Sequence, residues 1–226
     1  MVQNLYDNNT ATISGKISSD LVFSHEVYGE GFYYFILDVQ RLSDSFDKIP
    51  VTVSERLSGF HEYEKGRHIE VEGQFRSYNS SSGEGNRLLL TVFARDIKFI
   101  DVPDEEKAIN SITLNGYICK PPVYRTTPFG REIADILLAV NRTYNKSDYI
   151  PCISWGRNAR YCGSMNVGDN VKVNGRIQSR EYQKKLGNGE VINKTAFEVS
   201  VSKLELLGIV RTTTEDETKE DSSENI

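Results

Sequence analysis

Cysteine, histidine and tryptophan are all scarce in this chain of 226 residues: three, three and one. Cys119, Cys152 and Cys162 are odd in number, widely spaced and form no Cys-x-x-Cys pair. That argues against a disulfide framework and a structural zinc site, and it suits a reducing cytoplasm. His25, His61 and His68 all lie in the first half, so the second half has no imidazole for acid–base or metal chemistry. No apolar run approaches the roughly 20 residues that cross a bilayer. No glycine-rich phosphate loop precedes a helix, and the second half, without histidine, holds no Ser-His-Asp or Cys-His set, so neither an enzyme nor a cofactor is expected. Residues 1–10 are polar and lack the basic and apolar regions of a secretory signal, so a cytoplasmic location is expected.

What remains is a composition able to build a core. Hydrophobic residues are 38% and charged residues 26% of the chain, which fits neither a disordered polymer nor a membrane-embedded protein. The net charge of −5 is unevenly spread. Residues 1–108 hold 11 basic and 18 acidic side chains, a balance of −7. Residues 109–211 hold 15 and 8, a balance of +7, and residues 212–226 hold 1 and 6, a balance of −5. A basic segment between two acidic ones points to a polyanionic partner.

The chain repeats itself. Thr12–Ile17 aligns with Thr113–Ile118, Ile36–Arg41 with Leu137–Arg142, and Ile49-Pro50 with Ile150-Pro151, all at an offset of 101. Gly66 and Gly73 meet Gly168 and Gly175 at 102, and Leu88–Ile100 meets Thr195–Leu207 at 107. Five blocks in order define two copies of one domain, residues 1–101 and 109–210, with an acidic linker at 102–108 and an acidic tail at 211–226, expected to be disordered.

Within each copy the period is that of strands. Ile112, Leu114 and Tyr117-Ile118 form the first run, which gives way to Pro121-Pro122. Glu132–Arg142 and Tyr149–Trp155 read as the second and third strands, and Arg157–Met165 as a short helix. Asn170–Tyr182 and Lys194–Leu207 read as long strands joined across Leu186–Gly189, with Ser82–Asn86 at the equivalent tip in the first copy. Five strands with a helix between the third and fourth is the order of an OB-fold, so the expected class is all-β: two tandem five-stranded OB-fold barrels.

Several motifs of the second copy resemble the bacterial single-stranded DNA-binding protein family. They are Asn115-Gly116, Pro121 with Thr127–Gly130, Leu138–Thr143, Tyr149–Trp155, Lys172–Arg180 with Tyr182, and Thr195–Val199. The first copy shares only the framework. The resemblance implies that Tyr144, Tyr149, Trp155 and Tyr182 stand where the family places DNA-stacking aromatics. It also implies assembly into four barrels, here as a homodimer. The chemistry is consistent: binding without sequence preference needs stacking platforms, because every base has a π-face, and cations along the phosphates. Arg125, Arg131, Arg142, Arg157, Arg160, Arg176, Arg180, Lys184 and Lys185 supply such cations, with Arg142, Arg176 and Arg180 expected first because they sit on strands beside the aromatics.

At the matching positions the first copy has Ser43, Lys48, Ser54 and Ser80, with Phe46 and Tyr78 as nearby aromatics. Its expected role is therefore mainly assembly, with the alternatives that Phe46 or Tyr78 substitutes through a shift of register or that this copy has a different DNA surface. The tail is short and lacks the Pro-Phe tip through which family members recruit replication and repair proteins, so recruitment by it is not expected to be strong. The function expected is non-sequence-specific coating and protection of single-stranded DNA in replication, recombination or repair. An OB-fold protein-interaction or primosome-type factor, or an RNA-binding module, stands as the alternative reading.

Overall fold

The computed structural model describes residues 8–57, 62–80, 87–101, 108–185, 187 and 189–209. The linker and the acidic tail lie largely outside the described residues, and of the first copy's expected helix, residues 56–64 by the offset, 58–61 lie outside them while 56–57 and 62–64 are not α-helical.

The first copy contributes β1 (Asn9–Ile17), β2 (Val22–Val27), β3 (Glu30–Gln40), β4 (Phe46–Ser54), β5 (His68–Ser80) and β6 (Arg87–Ile100). The second contributes β7 (Asn110–Ile118), β8 (Val123–Thr126), β9 (Glu132–Asn141), β10 (Ser147–Trp155), α1 (Gly156–Cys162), β11 (Asn170–Lys185) and β12 (Val191–Gly208). In the first copy β1 pairs with both β3 and β5, β3 with β4, and β5 with β6, all antiparallel, while β4 and β6 run parallel. That circuit closes a five-stranded barrel in OB-fold order. The second copy closes in the same way, including the parallel β10–β12 pairing.

To the five expected strands each copy adds a short one, β2 or β8, paired only with the next strand. Both ribbons are exposed throughout, so no inward-outward alternation marks them in the sequence. Elsewhere alternation decides the geometry. Ile136, Leu138 and Val140 of β9 point inward, as do Ile150 and Cys152 of β10. The long fourth strands bend sharply at glycines, next to register shifts at Glu72/Gly73 and Asn174/Gly175. A Cβ on Gly73 or Gly175 would lie 2.2 Å from a carbonyl oxygen of the neighbouring strand, Phe93 O or Ser200 O, so only glycine permits that approach.

The copies join edge to edge. β1 pairs antiparallel with β7, with Asn9 opposite Leu114, Ala11 opposite Ile112 and Ile13 opposite Asn110. Because residue 11 and residue 112 are themselves equivalent at the offset of 101, a pseudo-two-fold axis passes through that pair. The repeat is thus an isologous dimer within one chain.

Two matching clamps flank the axis. Asp47, at the start of β4, is fully buried and accepts the Ser179 backbone N–H of β11 at 2.7 Å. Arg41 donates to both Asp47 and the Ser179 carbonyl, and the Lys48 amide donates to Ser179 Oγ. On the other side Asp148 accepts the Ser77 N–H at 2.8 Å and pairs with Arg142, while the Tyr149 amide donates to Ser77 Oγ. Every participant has its counterpart at an offset of 101 or 102.

Candidate nucleic-acid interface

Strand register places most of the expected side chains on one outer surface of the second barrel. Directly paired residues share a face. Arg125 is opposite Ile133, which is opposite Trp155; Tyr117 is opposite Ala139, which is opposite Tyr149. Ile153, on the same side of β10 as Tyr149 and Trp155, pairs with Ser200 of β12, and Ser200 with Arg176 of β11. Along β11 the same side then carries Gln178, Arg180, Tyr182 and Lys184, continuing onto the β11–β12 arm.

The four expected aromatics are all open to solvent: Tyr144 is 92%, Tyr149 44%, Trp155 39% and Tyr182 39% exposed. Trp155 therefore presents part of its ring, although a large aromatic in so small a barrel is commonly core. Tyr144 sits at the tip between β9 and β10, where the Arg142 amide bonds the Lys146 carbonyl. Its φ of 60° and that of 53° at Asn145 are left-handed, the backbone that a tight hairpin needs to match strand twist. For a tyrosine this costs on the order of 1 kcal/mol, and it projects the ring away from the barrel. Arg180 lies 5.9 Å from the centre of the Tyr182 ring.

The cations other than Arg180 divide into three sets. Arg131, Arg157, Lys184 and Lys185 are exposed, on the β8–β9 turn, on α1 and on the arm, with Lys185 facing the opposite side of the arm from Tyr182. Arg125 and Arg160 are exposed but paired, with Asp135 and Glu132 respectively. Glu132 also accepts the Tyr124 hydroxyl, a hydrogen bond that raises the phenol above its ordinary pKa and lowers the carboxylate below its own. Arg142 and Arg176 differ from the expectation that strand position makes them prime phosphate contacts. Arg142 is half-buried against Asp148, and Arg176 reaches toward Asp47 at 3.9 Å. A guanidinium holding a buried carboxylate at the junction is less free to meet a phosphate.

Further aromatics stand on or beside this surface: Tyr117, Tyr124, Phe129 and Tyr161 are exposed. Alternation with inward Leu114, Gly116 and Ile118 could have marked Tyr117. Phe129 sits on a turn held by Thr127 and Arg131, where no periodicity exists to mark it.

The first copy is built differently at the same place. Its matched positions are Ser43, Lys48 and Ser54, with Lys48 paired to Asp38 and Ser54 bonded to Glu30. On either side of Ser54 the rings stack on one another instead: His25 on Phe32 at 5.0 Å, Phe32 near Phe93 at 5.8 Å, and Arg76 over Phe93 at 3.9 Å. Those rings contact one another, while Phe23, Tyr28, Tyr34 and Phe46 of the first copy remain exposed.

With this geometry in place, the comparisons with known proteins decide the family. The model of the single-strand binding protein family matches residues 109–207. Single-stranded DNA-binding protein B of Bacillus subtilis is 35% identical over 100 residues, which cover 40% of this chain and 82% of that protein. The chain belongs to the single-strand binding protein family. Single-stranded DNA-binding protein 1 of Staphylococcus aureus is 37% identical over 86 residues, 35% of this chain. The match spans 52% of that relative, so the chain covers about half the length of the curated relatives at the head of the comparison. The wild-type single-stranded DNA binding protein of Thermus aquaticus superposes with a TM-score of 0.69 at 18% identity, over 90% of this chain and 94% of that one. Both barrels therefore share its fold. No helix among the described residues is long and apolar enough to cross a membrane.

Proposed function

We propose that this chain is a binding protein, not an enzyme, and that it coats and protects single-stranded DNA without sequence preference during replication, recombination or repair. One observation carries the reading: Tyr149, Trp155, Arg180 and Tyr182 are exposed on one outer surface, with Tyr144 projecting at its margin. Stacking on tyrosine and tryptophan accepts any base, and the exposed Arg131, Arg157, Arg180, Lys184 and Lys185 supply phosphate contacts. The names of the relatives, each a single-stranded DNA-binding protein, support the same ligand class. The family resemblance supports a homodimer presenting four barrels, inside the cell.

Titrating the intrinsic fluorescence of Trp155 with oligo-dT at two salt concentrations, with oligo-U in parallel, tests this. Quenching that saturates with dT and weakens with salt is expected. Equal affinity for oligo-U would move the ligand class to RNA, and no binding to either would leave the reading without support. Light scattering on the same samples tests the dimer.

A further inference from the structure

The chain has an open cleft where the first copy's β4 meets the second copy's β11. Its volume is about 300 Å³, and Arg41, Phe46, Lys48, Ser179, Arg180 and Glu181 are among the residues that line it, a size at the lower end of ordinary ligand clefts. Ser179, which the Asp47 carboxylate holds, lines it, so residues of both barrels shape it.

Phe46 is 51% exposed, on the outward side of β4 two residues before Lys48. At the offset of 101 these two positions become Ser147 and Tyr149 in the second copy. The ring and the non-aromatic position have therefore exchanged places along one strand face, a displacement of roughly 7 Å at the ordinary rise per residue. The first copy has not lost an aromatic from this face; it carries it one outward position earlier. Beside that ring stand three cations. Arg41 is fixed by Asp47, and its guanidinium is held above the ordinary pKa chiefly by that hydrogen bond. Lys48 and Arg180 are well exposed, with partners Asp38 at 3.2 Å and Glu198 at 3.8 Å. Glu181 is the opposing charge on the rim. Arg180 also belongs to the second copy's surface, near the Tyr182 ring.

We infer that this cleft binds one nucleotide of single-stranded DNA, with Phe46 stacking on the base and Lys48, Arg180 and Arg41 meeting the phosphates. A strand leaving Tyr182 thereby crosses onto the first copy, although that copy is acidic as a whole. An exposed phenylalanine flanked by cations suits a planar base on a polyanionic backbone better than an apolar peptide, which would leave those charges unpaired. The inference rests on the proposed binding of single-stranded DNA by the second copy, and it assigns to the first copy a contact that the matched positions alone deny it.

The full-length chain serves for the test. Phe46→Ala should weaken oligo-dT binding roughly tenfold or more, as loss of one stacked base does, and shorten the occluded length, with the melting temperature unchanged because the ring is exposed. Phe46→Trp should restore affinity and add a second quenched tryptophan signal. Lys48→Gln should lower the slope of log K against log salt by about 0.7, one phosphate contact on a single strand. Two results together would overturn the inference: Phe46→Ala binds like the parent, and in Phe46→Trp the emission of the introduced indole is unmoved by dT while that of Trp155 is quenched. The cleft is then no nucleotide site and the second-copy reading stands. If the parent itself does not bind, both fall together.

Discussion

The carboxylate of Asp47 takes the backbone N–H of Ser179, 132 residues away, at 2.7 Å and without exposure to solvent. The equivalent carboxylate, Asp148, takes the N–H of Ser77 at 2.8 Å. An edge-strand amide that no β-ladder satisfies is thus answered by a side chain of the other copy. The paired arginines, Arg41 and Arg142, keep each buried acid from standing uncompensated. This arrangement fixes how the surface with Tyr149 and the surface with Phe46 stand relative to the arms. Separating the copies would strip one partner from each clamp, so point substitutions in the whole chain are the better probes.

Removing one acid tests the clamp directly. Asp47→Ala strands the Ser179 amide and leaves Arg41 facing a void, so it should lower unfolding free energy by about 2–3 kcal/mol. Chemical denaturation monitored by circular dichroism measures this. A change below about 0.5 kcal/mol, the scatter of ordinary surface substitutions, would mean that the clamp adds nothing to the β1–β7 ladder.

The second clamp should show in the pH dependence of stability. Burial is the largest influence on Asp148 and pushes its carboxyl above the ordinary value, against the Ser77 amide and Arg142, which pull it down. A folded pKa above the unfolded one means that the native state holds the proton more tightly. The associated stability is therefore complete below the unfolded value, about 4, and is lost as pH rises through the folded value. Asp148→Asn cannot titrate. The stability of the parent relative to Asp148→Asn should accordingly be highest at the acid end and decline on raising the pH past that window. A relative stability that climbs with pH there would show the opposite sign of shift.

Salt should act strongly on DNA affinity. Arg131, Arg157, Arg180, Lys184 and Lys185 are exposed, and if about four to six phosphates are neutralised, log K should fall against log salt with a slope of roughly −3 to −4. Fluorescence titrations across a salt series give this number. A flat response would mean that stacking alone carries binding and that these side chains are ordinary solvated surface.

The repeat, the strand order and the outward tyrosines were legible because each has a period or a copy to be compared with. Asp47 and Asp148 drew no attention in the sequence, since nothing local announces a partner on another barrel. Arg176 looked free for the same reason, since Asp47 comes near it only when the copies join, whereas Arg142 meets Asp148 of its own copy across the β9–β10 hairpin, a pairing that no periodicity marks. The ribbons β2 and β8 were missed because a strand exposed on both sides has no pattern. Phe46 was legible as a nearby aromatic, but matching by offset does not show that it shares the outward face of Lys48.

The aromatic surface itself is tested by replacing Tyr144, Tyr149, Trp155 and Tyr182 singly with alanine. Each should weaken oligo-dT binding by about 1–3 kcal/mol if a base stacks there. The loss should be similar on dC tracts, because a π-face does not read base edges. The four differ in what else they do. Trp155 ends β10 immediately before α1 and shares a row with buried Ile133, so Trp155→Ala should also cost stability, in the direction of the ~3–5 kcal/mol that truncating a buried aromatic costs, though less for a ring this exposed. Tyr149 has its backbone amide in the Ser77 clamp, but its ring is outside, so truncation leaves that bond in place. Tyr182 on the arm and Tyr144 at the hairpin tip pack against little of the core. Their alanine variants should lose affinity with the melting temperature nearly unchanged, which separates a binding role from a packing one. At Tyr144 glycine is the sharper variant, since it relieves the left-handed backbone while deleting the ring. Tyr144→Gly should be at least as stable as the parent and still bind DNA more weakly. If all four alanine variants bind like the parent, the aromatics are surface packing and the chain's function lies in protein contacts made by its barrels.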